Sequence, residues 1–251
     1  MISPPSAPKV HLGELVDSCL LSIIAGYVDT CVFVGLFGLF TAHVTGNFVL
    51  IGSELVHQSS DVSSKILALP VFILAVAATV KAVEALQRAG QPRVAPVIYA
   101  EAGLLLACIA VTLVFKAPEG PSDPAALAAG MLATTAMGVQ NALMRLELAS
   151  LPSTTVMTMN VTQSAIDVVT MLSRRVDPAT DAQKRAEARQ RFLRMWPPIV
   201  AFTFGAAAGA GGYAVVGLPA LIVPAILCIV AGWHFSRRGR ALVNPASPPK
   251  P

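Results

Sequence analysis

The sequence predicts an all-α fold, a polytopic membrane helix bundle with about six full spans, two short broken or re-entrant helices and an inverted internal repeat. Two observations point to the membrane. Charged residues make up 13% of the 251 positions and hydrophobic residues 55%, whereas a soluble domain carries roughly 25% charge. The apolar residues also come in unbroken runs: Val71–Val80, Leu104–Phe115 and Ile199–Ala220 contain no charge, and the mean hydropathy is +0.67. A helix needs about twenty such residues to cross about 30 Å of hydrocarbon. Spanning strands would be shorter and would alternate polar with apolar, which these runs do not.

The whole chain, 1–251, reads as one membrane domain. A polar, Pro-rich tail (1–14) comes first and carries one base, Lys9. The apolar run after it continues to about Phe40, too long for a cleaved signal peptide, so a retained span is expected. Full spans are predicted at 15–39, 66–87, 94–116, 124–147, 195–215 and 218–236. Shorter segments are predicted at 45–57 and 158–172, each after a polar Thr-x-Asn. Residues 239–251 are expected to form a disordered tail.

Net charge is +4 and unevenly placed. The predicted loop 174–194 holds seven bases (Arg174, Arg175, Lys184, Arg185, Arg189, Arg191, Arg194) and three acids (Asp177, Asp181, Glu187). That surplus equals the net charge of the whole chain. In so apolar a chain it reads as a topology signal and not as a nucleic-acid patch. With six full spans, the Arg88/Arg93 turn, this loop and the Arg237/Arg238/Arg240 tail share one side, and Lys65 and Lys116 lie on the other. The positive-inside bias then puts both termini in the cytoplasm. If all eight segments crossed, the Arg88/Arg93 turn would move outside, a worse fit.

Self-comparison exposes the repeat, with 15–120 as its first copy and 121–238 as its second. Gly26-Tyr27-Val28-Asp29 aligns with Gly138-Val139-Gln140-Asn141, and Thr45-Gly46-Asn47 aligns with Thr158-Met159-Asn160. Seven residues after each Asn comes an acid, Glu54 and Asp167, nearly two turns on along the same helix face. Three full spans per half is an odd number, so the second half is expected to be inverted, an architecture common among secondary transporters.

The strings Gly26-Tyr-Val-Asp29, His43-Val-Thr-Gly-Asn47, Gly138-Val-Gln-Asn-Ala142 and Thr154-Thr-Val-Met-Thr158 resemble those of the YoaK-like family. This is a domain-of-unknown-function family of bacterial six-span inner-membrane proteins. The resemblance runs from about Leu15 to Arg238. It implies six spans and a bacterial inner (plasma) membrane location, and it names no substrate. Met159 stands where the resemblance implies Gly.

Several polar residues interrupt the apolar runs. Asp29 lies mid-span, where a carboxylate costs about 2.5–3.5 kcal/mol on insertion scales. It needs a cavity, a conducted ion, a neighbouring helix or a base such as Lys81. Thr45, Asn47, Thr158 and Asn160 suit half-helix starts, whose free N–H groups attract anions or polar groups. Gln140 and Asn141 suit a ligand or a helix clamp. His43, close to Asp29, suits proton relay or an interfacial position. Glu54 and Asp167 are further candidates because they recur together. Glu101 is expected to snorkel to the interface or to pair with Arg93. His11, His57 and His234 sit near span ends.

The remaining features read as packing. Gly205, Gly209 and Gly212 form a small-residue face for helix approach, within the monomer or in a homodimer. The methionines at 131, 137, 144, 157, 159 and 171 fill space and do not suggest a metal site. Cys19, Cys31, Cys108 and Cys228 form no CxxC pair, so neither disulfide nor zinc is expected. No phosphate-binding loop, nucleophile elbow or zinc motif occurs, so no cofactor and no enzyme activity are expected. The partners implied are the lipid bilayer and a small polar solute or ion. The expected function is secondary transport or a channel, with Asp29, Thr45, Asn47, Asn141, Thr158 and Asn160 meeting near the midplane. The alternatives are a structural or regulatory membrane protein and a membrane enzyme using Asp29 and His43.

Overall fold

A computed structural model describes residues 12–57, 62–115, 120–173 and 178–243. The expectations that fall on Lys9, His11, Lys116, Arg174, Arg175 and Asp177, and on 1–11 and 244–251, lie outside the described residues. Those residues form eight α-helices and one 3-10 turn. The helices are α1 (Leu12–Gly35), α2 (Val44–His57), α3 (Ser63–Arg88), α4 (Val94–Val114), α5 (Pro124–Leu146), α6 (Met157–Leu172), α7 (Pro178–Val216) and α8 (Ile222–Val243), and the turn is Leu218–Leu221.

Five of these segments are long and apolar enough to cross a membrane: Leu12–Gly35, Ser63–Arg88, Val94–Val114, Asp181–Val216 and Leu218–Arg238. The predicted span 124–147 is the 23-residue α5, about 35 Å long at 1.5 Å per residue. Gln140 and Asn141 make it less apolar than the others. Large side chains such as Leu74, Leu113, Phe204 and Val215 are mostly exposed. A surface this greasy is a liability in water but suits hydrocarbon. The chain is an integral membrane protein.

Two boundaries differ from expectation. Residues 178–194 of the predicted basic loop are helix, the first turns of the 39-residue α7. Polar i,i+4 pairs support it there, such as Arg185 with Asp181 at 3.8 Å and Gln183 with Glu187 at 3.1 Å. A polar helix of this kind carries no hydropathy signal, so the sequence read it as loop. At the C-terminus, α8 runs on to Val243, so 239–243 is helix and not disordered tail.

The packing repeats between halves. If α1–α4 are matched in order to α5–α8, each substantial helix contact has a counterpart. α1 packs on α7 as α5 packs on α3, and α2 packs on α3 as α6 packs on α7. α4 packs on α5 as α8 packs on α1, while α4–α8 and α1–α5 are their own counterparts. The close α1–α7 crossing depends on glycine. A Cβ on Gly26 would collide with the Phe202 carbonyl, one on Gly205 with the main chain of Ile23, and one on Gly209 with that of Tyr27. This small-residue face is therefore used inside the monomer.

The helix ends show that the two short helices are re-entrant. Lys65, at the start of α3, donates to the Phe37 carbonyl just beyond α1 at 3.0 Å. It also pairs with Glu54, late in α2, at 2.7 Å. The chain therefore leaves α1 and begins α3 at the same end of the bundle. Ser63 and Ser122 meet at that end, 3.1 Å apart. At the opposite end Arg238 bonds Asp17 at 2.6 Å, and Glu14 and Leu15 lie beside Leu151, Pro152 and Arg194.

Candidate functional site

The site is built from the two chain breaks, 36–43 and 147–156. The first begins at the end of α1, where Phe37 and Gly38 take positive φ values of 54° and 77°. The Gly38 N–H donates back to the Phe33 carbonyl at 2.9 Å, a left-handed helix ending. Positive φ is costly for Phe, and the Lys65 ammonium on its carbonyl helps hold it. The turn sends the chain back along α1 to the level of Asp29.

Asp29 is 4% exposed and gathers the break around itself. Its Oδ1 accepts the Thr41 N–H at 2.7 Å, the Ala42 N–H at 2.7 Å and the Thr41 hydroxyl at 3.0 Å. Its Oδ2 lies 2.6 Å from His43 Nδ1. Both oxygens are thus engaged, and the carboxyl draws Thr41, Ala42 and His43 onto α1. It also orients the imidazole, leaving Nε2 to face outward from the pair. The expected pairing with Lys81 does not occur, because Lys81 is exposed and bonds Glu84 at 3.1 Å.

The second break repeats this plan with neutral groups. Asn141 Oδ1 accepts the Thr155 hydroxyl at 2.6 Å, and its amide donates to the Met137 carbonyl at 2.9 Å. Both Asp29–His43 and Asn141–Thr155 join residues fourteen apart. Gln140 donates to Thr154 Oγ1 at 3.0 Å and to the Leu21 carbonyl at 2.9 Å, tying this break to α1. The breaks themselves come close: the main chain of Thr155 lies near the His43 ring. The His43 ring stands edge-on to Phe202 of α7, centroids 5.6 Å apart.

The two asparagines act as tethers. Asn47 donates to the Phe40 carbonyl at 2.9 Å and accepts the Phe40 N–H at 3.0 Å. Asn160 donates to the Ser153 carbonyl at 2.7 Å. Both reach back seven residues and pin the incoming strand to the short helix. They are not caps: α6 opens at Val156 with no side-chain cap. Thr45 and Thr158 are exposed and stand away from the cluster, because the first helical turn points them outward. Within the two breaks the buried hydroxyls are Thr41, Thr154 and Thr155, none of them among the binding residues expected from the sequence. The Met159 departure also has a physical reason. A Cβ at Gly46 would press on the Phe40 ring, whereas Phe40's mate in the second half is the small Ser153. Met159 is accordingly 69% exposed.

Glu54 and Asp167 are ion-paired. Glu54 meets Lys65, and the fully buried Asp167 meets Arg191 at 2.9 Å and Gln163 at 3.1 Å. In each half the acid of the short helix holds a base on the following helix. Lys65 was expected in an outside loop, but its side chain is 1% exposed. A lysine preceding an apolar run gives no sequence signal that separates the two fates. Glu101 neither snorkels nor pairs with Arg93. It is fully buried, and Arg93 pairs with Glu147 at 3.2 Å. His234 lies 3.4 Å from Asp17. No group of three or more His, Cys, Asp or Glu that could hold a metal occurs among the described residues.

Residues 18–233 match the family described as "Protein of unknown function (DUF1275)". No curated protein and no solved structure matches the chain.

Proposed function

We propose that this chain, which belongs to the DUF1275 family, is a secondary transporter or channel for a small polar solute or ion. One observation carries the reading. Two re-entrant breaks from matching halves converge inside an apolar bundle and bring His43, Asp29, Asn141 and Thr155 together. Backbone that leaves helix geometry at membrane depth is tolerated where it is buried in protein or lines a cavity. Discontinuous helices at a repeat interface are where transporters bind their cargo. In this reading Asp29 and Asn141 position the breaks, and His43 and the Thr155 main chain present polar atoms to the solute. The halves are inverted in a bacterial inner membrane, as the YoaK-like resemblance implies, with both termini cytoplasmic.

The test is an uptake screen of small polar solutes and ions in a deletion strain, repeated with purified protein in vesicles. Asp29→Asn is expected to abolish uptake or its proton dependence, and His43→Gln to lower it while the protein still folds. Unchanged transport in both variants would remove this site. Labelling single cysteines at Gln91 and Ser122 tests the topology, since the two are expected on opposite faces.

A second reading has its own support. Both Asp29 oxygens are engaged by the protein, as expected of a structural or regulatory membrane protein in which polar groups only clamp helices. Vesicles that show no flux for any solute would favour it.

A further inference from the structure

Away from the breaks, α4 buries a carboxylate that nothing neutralises. Glu101 is 0% exposed, and neither of its oxygens has a hydrogen-bond partner of proper geometry. The Cys228 thiol of α8 faces it, and a thiol is a weak donor.

Among the described residues, no cation comes near from the helices packed against α4. On α3, Lys65 is held by Glu54, and Lys81, Glu84 and Arg88 are exposed and bond one another. On α5, Arg145 is exposed. The 3-10 turn Leu218–Leu221 has no ionisable side chain. On α8, His234 and Arg238 are engaged with Asp17, and Arg237 lies over the Trp233 ring at 3.7 Å. Near the other end of α4, Arg93 is held by Glu147. An ionised, unpaired carboxylate is not stable in such a place, so the group neutralises by taking a proton. Ion-paired Glu54 and Asp167 show that this fold supplies a base where it keeps an acid charged.

The location adds a second argument. α4 and α8 are matching helices that pack on each other, so Glu101 sits on the contact between the two halves. In an inverted-repeat transporter, that contact changes as one half rocks against the other. We propose that Glu101 is the proton-carrying carboxyl of this protein: neutral while closed against α8, and ionised when the α4–α8 contact opens to water. The proposal rests on the transport reading above and names its coupling ion. In the step, the Glu101 O–H bond breaks and water on one side accepts the proton; when the contact next opens to the other side, the carboxylate takes a proton from water there and is neutral again as the contact closes.

The test has two arms. Infrared spectra of the purified protein in vesicles at neutral pH are expected to show a protonated-carboxyl carbonyl band that Glu101→Gln removes and Glu101→Asp shifts. A band that Glu101→Gln leaves unchanged overturns the assignment, whatever the solute screen finds. For a solute found in that screen, uptake driven by a pH gradient is expected to fall roughly tenfold or more in Glu101→Gln, while solute exchange stays within about twofold. Unchanged gradient dependence overturns the coupling role. If the band behaves as expected but no solute moves, the protonated carboxyl stands and the transport reading fails, and with it the coupling.

Discussion

The two chain breaks share one geometry and differ in chemistry. In the first, Asp29 collects four contacts, three donors on Oδ1 and His43 Nδ1 on Oδ2. In the second, the neutral Asn141 makes one short bond to Thr155 and one to its own helix. The same fourteen-residue link therefore joins a carboxyl to an imidazole in one half and an amide to a hydroxyl in the other. The bundle asks only that each break be tied back to its preceding helix, and the chemistry of the link differs between them. Buried acid–base pairs, by contrast, recur in both halves, Glu54 with Lys65 and Asp167 with Arg191.

The largest expected effect comes from comparing the glycines that seat the matching crossings. A Cβ on Gly26 would lie 2.3 Å from the Phe202 carbonyl oxygen, whereas one on Gly138 would lie 2.8 Å from the Ala75 methyl and 3.3 Å from the Phe72 carbonyl oxygen. Gly26→Ala is expected to cost about 4 kcal/mol or more and Gly138→Ala about 1–3, read as thermal stability in detergent. Equal losses would mean that the two crossings are equally tight. Next come the polar centres. Asp29→Ala strands two buried N–H groups and frees His43, for about 3–5 kcal/mol, while Asn141→Ala is expected to cost about 1–2. If the second loss matched the first, the second break would be carrying as much as the first.

The acid–base pairs give a smaller, correctable effect. Lys65→Met leaves Glu54 without a base and the Phe37 carbonyl without a donor, for about 2–4 kcal/mol. Adding Glu54→Leu is expected to restore most of that, since replacing both partners of a buried pair with apolar groups is often neutral. The smallest effect is at the exposed threonines. Thr45→Ala and Thr158→Ala are expected to stay within about 0.5 kcal/mol and to leave uptake unchanged. Loss of transport in either variant would return them to the site.

What could be read from the sequence followed hydropathy and self-similarity. The apolar runs marked the helices, because lipid demands long runs whatever the tertiary contacts. Asp29 with Asn141 and Asn47 with Asn160 revealed the repeat, because polar residues in an apolar background are few enough to align. Side-chain direction was not legible. Nothing in Thr41 or Thr45 alone says which one turns inward, since that depends on where the helix restarts after the Phe37–Gly38 turn. Nor could the sequence tell a buried, paired Lys65 from a solvated one, or a stranded Glu101 from one that snorkels, because these depend on partners distant in the chain. The polar start of α7 was missed because its helix rests on i,i+4 pairs and not on an apolar stripe.

That start has a practical consequence. At 39 residues, α7 is roughly 58 Å long, nearly twice the hydrocarbon thickness. Its polar turns precede Pro197 and Pro198, where the helix loses main-chain hydrogen bonds, so what fixes a tag fused there is the packing of these turns on α6, including the Arg191–Asp167 pair at 2.9 Å. A chain with so little mass outside the bilayer is hard to align in single-particle images. The first turns of α7, held against α6, offer a handle for a fiducial.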